Sequence, residues 1–287
     1  VIDDLWVLPP MPWRFSYPVT LIHLQGQGCL RLLHGQTTQA LLDLTAGQKR
    51  STCFVNATAW LGALAEVTAT DGGAELLVTA GCGVEIHRAL DRVIFPADQV
   101  QLQAPLPLRW HGLVDRNGSL NGAGWGLPGY HWLLKPNEPL PKPLEQLKPL
   151  DQNQQEWLRY RQGIPADPGE LNAGLNPFEL GLREWVSLDK GCYLGQETLA
   201  KLYSRAGVKQ QLRRWFAAAG TTPPQPGTSL MGPGGERAGT VSSCLNDFQG
   251  AVDRRGCWGL ALLRRDWLES KQLVGLELSL PETSLFN

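Results

Sequence analysis

The chain has 287 residues, 43% hydrophobic and 18% charged, with 26 basic against 27 acidic side chains and a formal net charge of -1. That balance excludes the broad electrostatic footprint of a nucleic-acid or anionic-membrane binder, and the length suits two domains or one large one. No uninterrupted apolar run approaches membrane-spanning length.

In chain order, Leu21-Ile22-His23-Leu24, Arg50 to Val55, Ala63 to Thr68 and Glu75 to Thr79 read as strands, the last two joined at Asp71-Gly72-Gly73, a strong hairpin signal. Between Gly83 and Ile94 the apolar positions Val84, Ile86, Ala89, Leu90 and Val93 predict an amphipathic helix. A weakly structured middle follows, in which Gly122, Gly124, Gly126, Pro128 and Gly129 precede a strand at Tyr130 to Leu134 and a proline-rich loop through Pro149. From Lys209 onward the character changes. Arg214 to Ala217, Thr228 to Met231, Ala238 to Val241 and Cys257 to Leu262 are short strands between Pro/Gly-rich turns, as in a small antiparallel barrel. The expected class is α+β, divided into residues 1–208 and 209–287.

The six cysteines are scattered without a Cys-x-x-Cys pair, which disfavours zinc and ferredoxin-type sites, and no pair of the five histidines has metal-ligand spacing. No metal is expected. The start of the chain, with Asp3-Asp4 and Pro9-Pro10, lacks a basic-then-apolar export signal. A reducing cytoplasm with free thiols is the expected setting.

The densest chemistry lies in Lys190-Gly191-Cys192-Tyr193-Leu194-Gly195-Gln196-Glu197, one thiol between two glycines and ahead of a helix expected over 196–202. Gly191 and Gly195 are expected to supply backbone conformations or close approaches that a side chain forbids. A thiol near a helix N-terminus with a lysine two residues away ionises more readily than a free one. A free cysteine also packs commonly as a small buried hydrophobe, and nothing in the spacing supplies a catalytic base or a second sulfur ligand.

The octapeptide is similar to the Lys-Gly-Cys-Tyr/Phe-x-Gly-Gln-Glu signature of the YgfZ-type folate-binding proteins, relatives of the aminomethyltransferase (T-protein) of the glycine cleavage system. Further segments agree in order: Leu33-His34-Gly35-Gln36-Thr37-Thr38, then Arg161-Gln162-Gly163-Ile164-Pro165 with Leu175-Asn176-Pro177 and Gly181-Leu182. Gly235 to Ser243 and Trp258-Gly259-Leu260-Ala261 resemble the terminal barrel shared with the aminomethyltransferases. The resemblance implies a three-lobed, aminomethyltransferase-like folate-binding region over 1–208 and a C-terminal β-barrel over 209–287.

It also implies tetrahydrofolate, or another folate form, as cofactor. The expected role is auxiliary, in iron–sulfur cluster assembly or repair, with cluster clients or assembly proteins as partners. Effects on tRNA modification would be indirect, without direct nucleic-acid or membrane binding. Cys192 is the reactive residue on that reading, able to accept iron, sulfide or a mixed disulfide at the rim of the folate channel. Lys190, Gly191, Tyr193, Gly195, Gln196 and Glu197 form its scaffold. A folate pocket needs aromatic walls and cations for the glutamate tail. Asn56, Trp157, Arg161 and Arg205 are the expected folate contacts.

Where the aminomethyltransferases use an aspartate to handle the folate proton, an ungapped reading puts Leu64, with Glu66 two positions along the strand and Thr79 in place of an asparagine. Leucine relays no proton, so the typical ~10²–10⁴-fold general acid–base contribution is forfeit. The rival expectation is an active folate-dependent aminomethyl or other one-carbon transferase, which would need Glu66 as its acid.

Overall fold

The computed structural model describes residues 13–114, 131–171, 174–204, 207–251 and 254–281. The glycine-rich stretch from Gly122 to Gly129, Tyr130 and Arg205 lie outside these residues.

The first sheet contains β1 (Trp13–Gln25), β2 (Lys49–Val55), β3 (Leu61–Thr70), β4 (Gly73–Ala80), β5 (Gln101–Leu102), β6 (Leu106–Val114), β7 (His131–Leu134) and β8 (Lys148–Pro149). Its order is β2-β3-β4-β1-β6-β7, with β5 and β8 also pairing β1. All pairs are antiparallel except β1 with β8. The hairpin expected at 71–73 closes β3 onto β4 with Thr70 opposite Gly73.

β1 extends far beyond Leu21 to Leu24, and β6 stands where the sequence pattern predicts no strand. Prolines hid both. Pro18 is opposite Arg109 and Pro107 opposite Thr20, where they would read as strand breaks. Pairing of β1 with β4 begins only at Thr20, so the missing N–H of Pro18 leaves no partner on that side unsatisfied.

Four helices belong to the first part of the chain: α1 (Cys29–Gln36), α2 (Gly83–Asp91), α3 (Lys142–Glu145) and α4 (Gln152–Gln162). α4 opens on a capping box: Asp151 Oδ1 accepts from Gln154 N at 2.8 Å, and Gln154 Oε1 accepts from Asp151 N at 2.9 Å. It ends at Gly163, whose φ of +67° lets Ile164 N donate back to Arg159 O at 3.1 Å. α5 (Gln196–Ser204) forms where the signature's helix was expected.

The second sheet comprises β9 (Gln210–Ala218), β10 (Ser229–Met231), β11 (Arg237–Ala251), β12 (Arg254–Arg264), β13 (Gln272–Leu273) and β14 (Leu276–Ser279), in the order β10-β11-β12-β9-β14-β13. The four short strands read from sequence all fall within it. One apolar cluster fills the space between α1, α2 and the first sheet, around Ile22, Leu33, Leu76 and Leu90. Another joins α4, the 171–193 segment and the second sheet through Trp157, Leu182, Tyr193, Leu212 and Trp258. The result is an α+β molecule whose second sheet is antiparallel throughout.

Candidate functional site

The signature turn is fixed at three points. Lys190 does not lean toward the cysteine: its Nζ donates to the carbonyls of His34, of Thr37 at 2.6 Å and of Gln39 at 3.0 Å. It thereby meets the carbonyl-rich C-terminus of α1, where a cation is favoured. Its ammonium also lies 4.5 Å from the centre of the Tyr193 ring. Burial pushes Lys190 down from its usual value, to about 7. Lys190 thereby anchors the turn to α1. Gln196 Nε2 donates to Lys190 O at 3.0 Å and closes the turn on itself.

Gly195 is the second point. Its φ is +80°, and a Cβ there would sit 2.6 Å from Asn56 O and 3.1 Å from Ala59 Cα. Gly191 does not share this constraint. Its φ lies outside the left-handed region and a Cβ would meet nothing within 4 Å, because that part of the turn borders open space. The third point is Tyr193, 8% exposed and packed in the core beside Val55, Ala59, Trp185 and Val186. Burial raises its phenol to about 12. Cys192 itself is exposed, and so is Leu194. Glu197, also exposed, pairs with Lys201 one turn along α5.

Thr38 ties the same region from below. Its Oγ1 donates to Trp185 O at 2.7 Å and accepts from Cys53 N at 3.0 Å, while His34 Nδ1 accepts from Leu41 N at 3.1 Å. The Leu33 to Thr38 segment is therefore the bed of the signature turn, and His34 is a satisfied structural histidine. Replacing Lys190 by methionine removes three charge-assisted contacts and is expected to cost about 2 kcal/mol. A urea midpoint unchanged from wild type would show that the anchor contributes nothing.

A cavity of about 1050 Å³ lies elsewhere, walled by β1, β4, α2, β6, α4 and the 165–171 segment. Tyr17, Val19, Ile86, Leu108 and Leu171 give it apolar surface, and Arg88, Arg92 and Arg109 give it cations. Thr79 lines it while donating from Oγ1 to Leu64 O at 3.3 Å. Glu156 and Arg159 form its α4 wall and pair at 3.0 Å. Behind them Glu170, wholly buried, meets Arg159 Nη1 at 2.9 Å and accepts from Ser242 Oγ at 2.5 Å and Ser243 Oγ at 2.7 Å. Burial works against the Arg159 charge, but Glu170 and then Glu156 more than compensate and raise its pKa.

None of residues 190–197 lines this cavity. Lys190 and Gly195 draw the turn to α1 and to the β2–β3 connection, while this cavity rests mainly on β4, β1 and β6. Asn56 lies with the turn. Its Oδ1 accepts from Thr58 N at 3.0 Å, Thr58 Oγ1 at 2.8 Å and Trp60 N at 2.9 Å. Trp157 is 2% exposed, and its ring lies 6.0 Å from that of Phe248 at a tilt of 43°. Arg161 is half-buried, and its carbonyl accepts from Arg214 at 3.4 Å.

Helical geometry explains the difference: Glu156 and Arg159, three apart, share the cavity face of α4, whereas Trp157 and Arg161, four apart, share another. Reading the Asp151 capping box and the Gly163 stop would have exposed that face in advance. Leu64 is 1% exposed inside the core, and Glu66 pairs with Lys49 at 3.1 Å away from the cavity. Among the described residues no group of three or more His, Cys, Asp or Glu side chains could hold a metal ion, all six cysteines are free, and no helix is long and apolar enough to cross a membrane.

No family model matches the chain. It is 28% identical over 280 residues to a chloroplastic transferase-like protein of Arabidopsis thaliana, an alignment covering 85% of this chain and 63% of that protein, so the chain spans under two thirds of that relative. It is 36% identical over 84 residues to the tRNA-modifying protein YgfZ of Sodalis glossinidius, covering 28% of this chain and 24% of the other. Among solved structures, the glycine cleavage system aminomethyltransferase T of Bartonella henselae matches with a TM-score of 0.71 at 16% identity, over 95% of this chain and 87% of that one. The chain thus has the aminomethyltransferase fold.

Proposed function

We propose that this chain, a relative of the YgfZ-type proteins and the aminomethyltransferases, binds a folate in its cavity and serves iron–sulfur cluster assembly or repair through Cys192. The observation that carries this reading is the turn itself: an exposed thiol on a loop locked by a half-buried lysine, a buried tyrosine and a glycine that admits no side chain. Such rigidity is unneeded for a cysteine that only fills space. A single thiolate does not retain a cluster, so the thiol releases its proton to solvent, binds a client's iron as thiolate in place of a labile ligand, and is displaced in turn by the client's own ligand, with no change of oxidation state. Free cysteines suit a reducing compartment such as the cytoplasm.

The cavity fits a folate. Its volume lies at the upper end of ordinary ligand pockets, its walls are apolar beside Tyr17, and Arg109 faces it with a guanidinium braced by Ser16 at 2.7 and 3.2 Å. Arg109 would take the first glutamate carboxylate, and Thr79 and Glu156 would meet the polar edge of the pterin. Bound folate would supply order to the cavity rather than a reacting group. A one-carbon transferase is less well supported, because Leu64 offers no acid and Glu66 is tied to Lys49.

The test is complementation of a strain lacking the protein, scored by the activity of a cluster-containing enzyme. Cys192→Ser should leave that activity at the deletion level, and Cys192→Ser acting as well as wild type would overturn the reading. Multiple turnovers with a one-carbon folate that vanish on Glu66→Gln but survive Cys192→Ala would establish the transferase instead.

A further inference from the structure

The bed of Gly195 is the connection between β2 and β3, and the side chain that shapes this loop is Asn56. Its Oδ1 gathers Thr58 N at 3.0 Å, Thr58 Oγ1 at 2.8 Å and Trp60 N at 2.9 Å. Across the same loop Asn56 N donates to Trp60 O at 3.0 Å, and Ala59 N donates to Asn56 O at 2.9 Å. Leu61 then ties the loop to the 171–193 segment by donating to Leu175 O at 2.7 Å.

The loop holds a conformation that its own residues do not favour. Ala59 has a φ of +64°, a region alanine adopts rarely, and it is wholly buried. Alanine does not select that turn; the bonds collected by Asn56 do. The loop thereby presents a fixed surface to the signature turn, because Asn56 O, Ala59 Cα and Val55 Cγ2 are the atoms that a side chain at position 195 would strike. Gly195 leads into α5, its carbonyl accepting from Leu199 N at 3.1 Å, and it stands three residues from Cys192. A shift of the loop reaches the thiol through packed backbone, with no side chain at 195 to absorb it.

We propose that Asn56 is a positioning residue for Cys192: it sets where the thiol stands by holding the β2–β3 loop against Gly195, without touching the thiol or its client. That the placement matters to a client rests on the function proposed above. All three side-chain bonds end on the oxygen, and Nδ2 makes no hydrogen bond among the described residues, so a carboxylate oxygen should serve as well as the amide.

The experiment places a nitroxide spin label on Cys192 of the full chain, with Cys82 and Cys244 changed to serine because they too are accessible, and reads its mobility by electron paramagnetic resonance. Asn56→Ala should narrow the spectral lines, the mark of a mobile turn, and lower the melting temperature by about 5 °C. Asn56→Asp should keep the wild-type spectrum. Leu230→Ala, buried in the second sheet, removes at least as much stability and should leave the spectrum unchanged, which separates placement of the thiol from stability. In complementation, scored per amount of soluble protein, Asn56→Ala should lose most of the cluster-enzyme activity while Asn56→Asp and Leu230→Ala keep it. A label as immobile in Asn56→Ala as in wild type, equal loosening in Leu230→Ala or Asn56→Asp, or full complementation by Asn56→Ala overturns the positioning role. Full complementation by Cys192→Ser overturns the function proposed for the thiol instead, and the spectra still decide whether Asn56 holds it in place.

Discussion

Glu170→Ala should lower folding stability by about 3–5 kcal/mol, enough to threaten the native state of an ordinary domain. Glu170 has no exposed surface, and four groups converge on it: Arg159 at 2.9 Å, Ser242 at 2.5 Å, Ser243 at 2.7 Å and the amide of Ala166 at 3.2 Å. Truncation strands the Arg159 guanidinium, 6% exposed, with only Glu156 to balance it. The loss should therefore exceed that of a neutral core residue, and Glu170→Gln, whose Oε1 can still accept from Arg159 and Ala166 while its Nε2 can only donate to the serine hydroxyls, should cost less. Replacing both partners together, Arg159→Met with Glu170→Leu, should recover part of the loss, since an empty charge site is worse than an apolar one. Denaturant unfolding of wild type, Arg159→Met, Glu170→Leu and the double variant makes a double-mutant cycle. Additive losses would mean that the pair is not coupled. Because Ala166 and Arg159 also wall the cavity, any surviving Glu170→Ala protein should bind folate more weakly.

Gly195→Val is the second large effect. The substitution meets two separate penalties, a left-handed backbone at φ +80° for a β-branched residue and a Cβ 2.6 Å from the Asn56 carbonyl. Together they should cost about 3 kcal/mol or displace the turn. In the second case stability would be partly spared and Cys192 moved, so complementation should fail in a protein that still folds. Gly191→Ala is the control, because that position opens on free space and should be tolerated. Equal behaviour of the two variants, read by melting temperature and by complementation, would contradict the three-point anchoring of the turn.

Local signals were legible wherever a turn or a period stood alone. The Asp71-Gly72-Gly73 hairpin, the start of α5 and the short strands after Lys209 are set by residues adjacent in sequence, and the structure places elements there. What failed did so for tertiary reasons. Pro18 and Pro107 look like breaks until β1 and β6 are seen to pair through them. The anchoring of Lys190 on the carbonyls around the end of α1 joins positions about 150 residues apart, so no local pattern shows it. The cavity draws on positions from Tyr17 to Leu171, and no window of sequence brings Arg88, Arg109 and Glu156 together. The α4 face alone was recoverable, from a capping box and a glycine stop that were present to be read.

The separation of the Cys192 sulfur from the cavity wall has a practical corollary. An alkylating reagent aimed at the thiol and a small molecule aimed at the void do not compete for space, so each can titrate the protein while the other is saturating. Any effect of one on the rate of the other must then travel through the strands between them, from Thr79 on β4 through the Leu64 carbonyl of β3 to Cys53 of β2. Labelling kinetics with the void filled and empty would report that mechanical link directly.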